Sequence, residues 1–335
     1  MEWRNLERLP QATEDAWEAR RIGGRVIRGK AAVDAAVARW NLLDPLMVSP
    51  PGSARFLPVL HVDEYRDRAH RALRRKHAVS LGVLLAAGVL FVISGYVAER
   101  ATALRAGAMA FALALFVATD FHLVVRRIEA LAERAQFALW VCREGAMHAV
   151  AWSCGMLVAG GVQLYAGSRL GGHDALLGAV GAVRELVASE PWRIAIGPFM
   201  HGSLAHWLTN FAMLAAASAV AGPLLRAPRA LALFLCGSSA GAATSLAIEA
   251  TSPTDVYVGV SAGIFALLGW CAGAAIRHPA SFPSSFAVTA SAFALLNVAA
   301  APMASANVSN AGHVAGLTLG LLAGLAFRPR CLTRR

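Results

Sequence analysis

Polar positions dominate the first fifth of the chain, and a series of long apolar runs fills the rest. Apolar residues recur at helical spacing around Trp17–Val26 and Ala31–Leu42, with charges between them. That pattern predicts two short amphipathic helices. Pro50-Pro51-Gly52-Ser53 breaks it, and Tyr65–Lys76 predicts a basic helix entering the next segment. Residues 78–97 form an apolar run of spanning length. Ala106–Val125 is a second run, interrupted late by Asp120 and His122. Both lie close to Arg126-Arg127, which predicts snorkelling toward the interface. Arg126–Glu144 is charged and amphipathic and reads as a linker. Ala146–Ala166 is the third span. Between residues 168 and 198, Leu176, Leu177, Val180, Val183 and Val187 recur at helical spacing, which predicts a helix lying in the interface. Ser203–Leu225, Ala230–Ile248, Val256–Ile276, Ser284–Ala301 and Val308–Phe327 complete eight predicted spans.

Composition turns these runs into a class. Of 335 residues, 57% are hydrophobic and 15% charged, too apolar for an ordinary soluble domain. An all-α polytopic membrane protein is the expected fold class. The net charge of +11 then belongs to cytoplasmic loops and anionic lipid, so no nucleic-acid partner is expected. Arginines mark every second junction: Arg74-Arg75, Arg126-Arg127, Arg226 with Arg229, Arg277, and Arg328 with Arg330. The loops Ala250–Asp255 and Pro302–Asn307 carry none. Positive charge concentrates on the cytoplasmic side, so both termini are expected there. The expected parts are a helical cytoplasmic region at 1–76, a transmembrane hairpin at 77–126, an amphipathic linker at 127–145, a helical core at 146–328 and a basic cytoplasmic tail at 329–335. The five cysteines are scattered, without Cys-x-x-Cys spacing, and read as packing residues. No His-Glu-x-x-His occurs. Neither a metal nor a cofactor is expected.

Candidate chemistry enters through depth. Ser261 lies 16 positions before Arg277, His313 lies 15 before Arg328, and Asn210 lies 16 before Arg226. At about 1.5 Å per residue all three sit roughly 23–24 Å above the inner boundary. In a hydrocarbon core about 30 Å thick, that is near its outer side. His206 is four residues before Asn210, on the same helix face. Gly312, Gly316, Gly320 and Gly324 make a smooth stripe beside His313, and Gly259, Gly263, Gly269 and Gly273 punctuate the serine segment. Such faces let two backbones approach closely. Packing alone explains the glycines. Close packing also brings Ser261 within reach of a base, and a serine hydroxyl is a weak nucleophile without one. Gly259-Val260-Ser261-Ala262-Gly263 matches the nucleophile elbow of α/β-hydrolases as well. That motif needs a preceding strand and a soluble sheet, neither of which is expected here.

His201-Gly202-Ser203-Leu204-Ala205-His206-Trp207-Leu208-Thr209-Asn210 resembles the His-x4-His-x3-Asn motif of the rhomboid intramembrane serine proteases. Gly259-Val260-Ser261 with Ile264–Gly269 resembles their serine helix, and Gly312-His313-Val314-Ala315-Gly316 their histidine helix. Glu190-Pro191-Trp192-Arg193 is similar to the Trp-Arg of their first external loop. The resemblance covers about residues 147–328, so the core at 146–328 would be the six-helix rhomboid protease core. It implies Ser261 as nucleophile and His313 as general base, a dyad without a carboxylate. It implies His206, Asn210 and the Ser261 amide as the oxyanion hole, and His201 as a structural histidine of the same loop. Phe265 matches the aromatic that stacks on the catalytic histidine; a core aromatic has the same signature. Pro302–Asn310 matches the cap over the site, and Ser284–Ala301 the helix that moves to admit substrate. The hairpin at 78–125 lies outside the minimal rhomboid. Where the family has glycine after the serine, this chain has Ala262.

The expected function is therefore an intramembrane serine endopeptidase in a lipid bilayer, acting on transmembrane protein substrates, with a bacterial inner (plasma) membrane as the expected location. The alternative is a catalytically inactive rhomboid-like protein that binds transmembrane clients. A transporter would need charged or broken-helix sites near the midplane. The core spans offer little of that kind beyond Glu249, at an outer helix end, and Asn297.

Overall fold

The computed structural model describes residues 4–5, 9–13, 15–249, 255–304 and 308–330. The expected cap loop (302–310) and basic tail (329–335) fall partly outside them. The chain divides into two compact units: residues up to Arg143 with Ala280–Thr289, and Glu144–Pro279 with Ala290–Arg330.

The first unit corrects the expected helical N-terminal region. Strands β1 (Glu18–Arg21), β2 (Val26–Arg28), β3 (Leu46–Ser49) and β4 (Leu57–Pro58) form an antiparallel sheet in the order β2-β1-β3-β4. Trp17–Val26 is thus a hairpin and not a helix. Gly23-Gly24 sits at its centre, Gly23 takes φ 69°, and the Gly24 amide donates to Arg21 O at 2.9 Å. A paired glycine turn flanked by apolar and β-branched residues outweighs the accidental helical spacing. Only the second patch holds as a helix, α1 (Lys30–Ala38). Ala19, Val33, Val37, Leu46, Val48 and Val59 are buried in one cluster with the base of helix α2 (Asp63–Val97). Lys30 donates to Asp34 and to the Tyr65 hydroxyl, and Tyr65 donates to Asp34 at 2.6 Å. The Lys30 ammonium, then the Tyr65 hydroxyl, hold the Asp34 carboxyl below its ordinary range.

Helices α2 and α3 (Ala101–Asp120) form the expected hairpin. Helix α4 (Ile128–Trp140) packs Ala130, Leu131 and Ala135 into the same cluster as the sheet. The expected snorkelling of Asp120 is not what occurs. Asp120 is buried, accepts from Arg134 of α4, and lies 3.6 Å from His77 Nε2 of α2. A buried carboxylate needs a partner, and Arg134 with His77 supplies it inside the unit.

The second unit holds helices α5 (Ala146–Arg169), α6 (His173–Val180), α7 (Trp192–Ile196), α8 (Leu204–Leu224), α9 (Ala227–Ile248), α10 (Ser261–Arg277) and α12 (Asn310–Ala326), with most of α11 (Phe286–Ala304). The expected interfacial helix stops at Val180. Gly181 is extended there, and Val183 lies in strand β5 (Ala182–Val183), which pairs with β6 (Val256–Tyr257). Arg193 ties this loop together: it is buried, and it donates to Glu190 Oε2 at 2.7 Å and to the carbonyls of Gly178 and Gly181. Among the described residues, five helical stretches are long and apolar enough to cross a bilayer, and α10, α12 and Phe286–Ala299 are shorter apolar helices. The eight fall where the eight spans are expected, three of them shorter than a span, and α10 begins five residues later than expected, because Val256 and Tyr257 are drawn into the strand.

Candidate active site

The close approach of α10 and α12 positions the site. A Cβ added at Gly316 would lie 2.0 Å from Ala262 O, and one at Gly320 would lie 2.0 Å from Ala266 O. From the other side, a Cβ added at Gly269 or Gly273 would lie 2.3 Å from the Leu317 or Leu321 carbonyl oxygen. No side chain fits at these four positions while the helices stay in place. Helix α9 completes the trio, with Gly241 against Ala262 Cβ and Gly237 against Ala266 Cβ.

At one end of this trio, His313 Nε2 lies 2.8 Å from Ser261 Oγ, joining residues 52 positions apart. His313 is buried, at 6% exposure. The Phe265 ring stacks on its imidazole at 4.5 Å between centroids, tilted by 32°. Phe265 lies four residues along α10 from the serine and is itself buried.

Ser261 is the first residue of α10. The first backbone bond reaching back past it runs from Ile264 N to Val260 O, at 3.2 Å. The amides of Ser261, Ala262 and Gly263 therefore have no acceptor within the helix, and they cluster at its electropositive end. Gly259 turns the chain into this end at φ 106°, a conformation that L side chains rarely adopt. A Cβ there would lie 2.5 Å from His206 Cε1, 2.6 Å from His206 Nε2 and 3.5 Å from Asn210 Nδ2. Gly259 thus lets both polar side chains of α8 press against the serine turn. Asn210 is 4% exposed, and its Nδ2 has no hydrogen-bond partner. A buried donor left unmade is costly unless something else uses it. Ser203 caps α8, accepting from the His206 amide at 3.1 Å.

The backbone of the His201 loop is also held from α5. Gln163 of α5 donates to His201 O at 2.7 Å and accepts from His201 N at 3.1 Å. The His201 ring lies edge-on to His206, 5.2 Å between centroids. A glutamine inside the apolar run Ala146–Ala166 was the available signal, since polar groups at that depth seek partners. Tyr257, also passed over, is buried beside Gly241 and Gly312. Ala262 is fully buried, and its methyl is turned against Gly241 of α9. A short strand does precede Gly259-Val260-Ser261, contrary to the ground for setting aside the nucleophile elbow. It is two residues long in an antiparallel two-stranded sheet, and the described residues form no parallel sheet of the kind a hydrolase needs.

The Rhomboid domain family model matches residues 188–330, which hold α8 to α12 and every candidate residue above. Residues 188–330 are a rhomboid domain. Helix α5 lies before the matched segment. With its apolar helices, the protein is an integral membrane protein of the polytopic helical class. No curated protein gives a significant match to the chain.

Proposed function

We propose that the protein is an intramembrane serine endopeptidase that cuts transmembrane segments of other membrane proteins. The 2.8 Å contact between Ser261 Oγ and His313 Nε2 carries this reading. His313 Nε2 takes the hydroxyl proton as Ser261 Oγ attacks the scissile carbonyl. The oxygen of the tetrahedral intermediate gains negative charge in a water-poor site, where donors fixed in advance matter most. The Ser261 amide, Asn210 Nδ2 and His206 supply them. His313 then gives its proton to the leaving amine, and water activated by the same nitrogen releases the acyl group. Peptide carbonyls inside a membrane helix are bonded to their own amides. The substrate must therefore unwind, which favours segments rich in small residues. The carboxylate-free dyad, the substrate class and the role of α11 in admitting it rest on the rhomboid resemblance. Residues 1–76 and the tail are assigned to the cytoplasm on the arginine pattern.

Ala262, standing where the family has glycine, is the one sequence feature that favours an inactive client-binding relative; its methyl packs on α9. Purified protein should cleave a generic transmembrane substrate, and a fluorophosphonate should label Ser261. Ser261→Ala and His313→Ala should each abolish both while the protein still inserts and folds. Their losses should not add, because the pair acts as a unit. Normal cleavage by either variant removes the enzyme reading.

A further inference from the structure

Glu249 closes α9, and its carboxylate bonds both the N-terminus of α12 and a serine of α9. Oε1 accepts from the Ala311 amide at 2.7 Å. Oε2 accepts from the Ser309 hydroxyl at 2.5 Å and from the Ser245 hydroxyl, one turn back on α9, at 3.2 Å. Ser309 is the N-cap of α12 and accepts from the Gly312 amide at 2.9 Å. The first backbone bond of α12 runs from His313 N to Ser309 O. Glu249 thus grips both the cap and the first turn of the helix that carries His313. Short charge-assisted bonds at the electropositive end of a helix are among the stronger ones a side chain can make.

His313 depends on such a grip. Its Nε2 faces Ser261, while its Nδ1 is buried and has no hydrogen-bond partner. No side-chain acceptor steadies the imidazole from behind, as an aspartate does in a serine-protease triad. The ring is placed by Phe265 on its face and by the backbone of the first turn of α12. We propose that Glu249 is a positioning residue for the Ser261–His313 pair: its carboxylate fixes the axial position and rotation of the α12 N-terminus, and so holds His313 Nε2 at hydrogen-bond distance from Ser261. The consequence for rate rests on the hydrolase reading; the grip itself does not.

The test compares the full-length wild type with Glu249→Ala and Glu249→Gln in detergent. Amide hydrogen exchange is followed across α12, together with the rate of fluorophosphonate labelling and with kcat and KM on a generic transmembrane substrate. Glu249→Ala should speed exchange at Ala311, Gly312 and His313 while the glycine stripe further along α12 stays protected. Labelling and kcat should fall together by about 10²-fold, the order expected when a reacting group is misplaced by an ångström, with KM unchanged. Glu249→Gln keeps an oxygen for the Ala311 amide and should lose less, about tenfold. Unchanged exchange at the α12 N-terminus overturns the proposal. So does faster exchange with labelling and kcat intact, which reduces Glu249 to a stabilising cap. If Glu249→Ala does not fold, Glu249→Gln decides: a kcat and exchange identical to wild type overturn the proposal. A wild type that neither labels nor cleaves sinks the hydrolase reading instead, and the exchange result still judges the grip.

Discussion

At the scale of single residues, the donor side of the site separates stability from function. Asn210 Nδ2 is buried without a partner, so the resting protein gains no hydrogen bond from it. Under the oxyanion reading it is satisfied only when negative charge appears on the carbonyl oxygen. Asn210→Ala should then lower turnover by about 10²–10³-fold, the usual loss for one such donor. Its unfolding temperature should stay at or slightly above that of the wild type. Weak labelling of Ser261 should persist, since His313 is untouched. A variant with unchanged turnover and a lower unfolding temperature would instead make Asn210 a structural residue. Gln163 and Asn210 illustrate opposite uses of a buried amide. Gln163 bonds both sides of the His201 peptide, whereas the Asn210 amide nitrogen is left free beside the serine turn.

Elements contribute through how closely they pack and how their charges pair. A methyl at Gly316 would press into the Ala262 carbonyl, which is backbone and cannot rotate away. Gly316→Ala should force α10 and α12 apart, cost about 1–3 kcal/mol as overpacking does, and lengthen the Ser261–His313 contact. Activity should fall more steeply than the unfolding temperature. Gly161→Ala in α5 is the control, because a Cβ there meets nothing within 4 Å. Equal behaviour of the two variants would show that the stripe is not limiting. In the other unit, Asp120, Arg134 and His77 join α3, α4 and α2. Removing one partner of a buried pair strands the other charge. Arg134→Met should destabilise that unit by about 3–5 kcal/mol. Adding Asp120→Asn should recover part of the loss in a double-mutant cycle. Additive losses would mean that the pair contributes nothing through its charges.

For the molecule as a whole, the arginine pattern makes a prediction about sidedness. In a variant without Cys142, Cys154, Cys236, Cys271 and Cys331, a single cysteine at Arg25 should react only with reagent on the cytoplasmic side. One at Ala179 should react only from the opposite side. Both positions are exposed, so accessibility does not confuse the result. Labelling of both from one face would refute the topology. It would also undo the depth comparison that first drew Ser261, His313 and Asn210 together.

What the sequence determined by itself was set by short-range physics and by polarity. Apolar runs of spanning length have one stable environment, and glycines every fourth residue have one effective use, so the membrane class and the close helix pair were legible. The level shared by Ser261, His313, Asn210 and His206 was legible too, because helical rise converts residue number into depth. The N-terminal sheet is not legible locally because Ala19, Ile22 and Val26 fit a helical period by chance, and the pairing of β1 with β3, across α1, is a long-range choice. The late start of α10 was invisible for the same reason: Val256 and Tyr257 pair with Ala182 and Val183, more than seventy residues earlier. Asp120 depended on where Arg134 folds, and the grip of Glu249 on Ser309 and Ala311 spans some sixty residues. Polar side chains with several possible partners carry no local signature of the one they take; only the packing of the helices decides it.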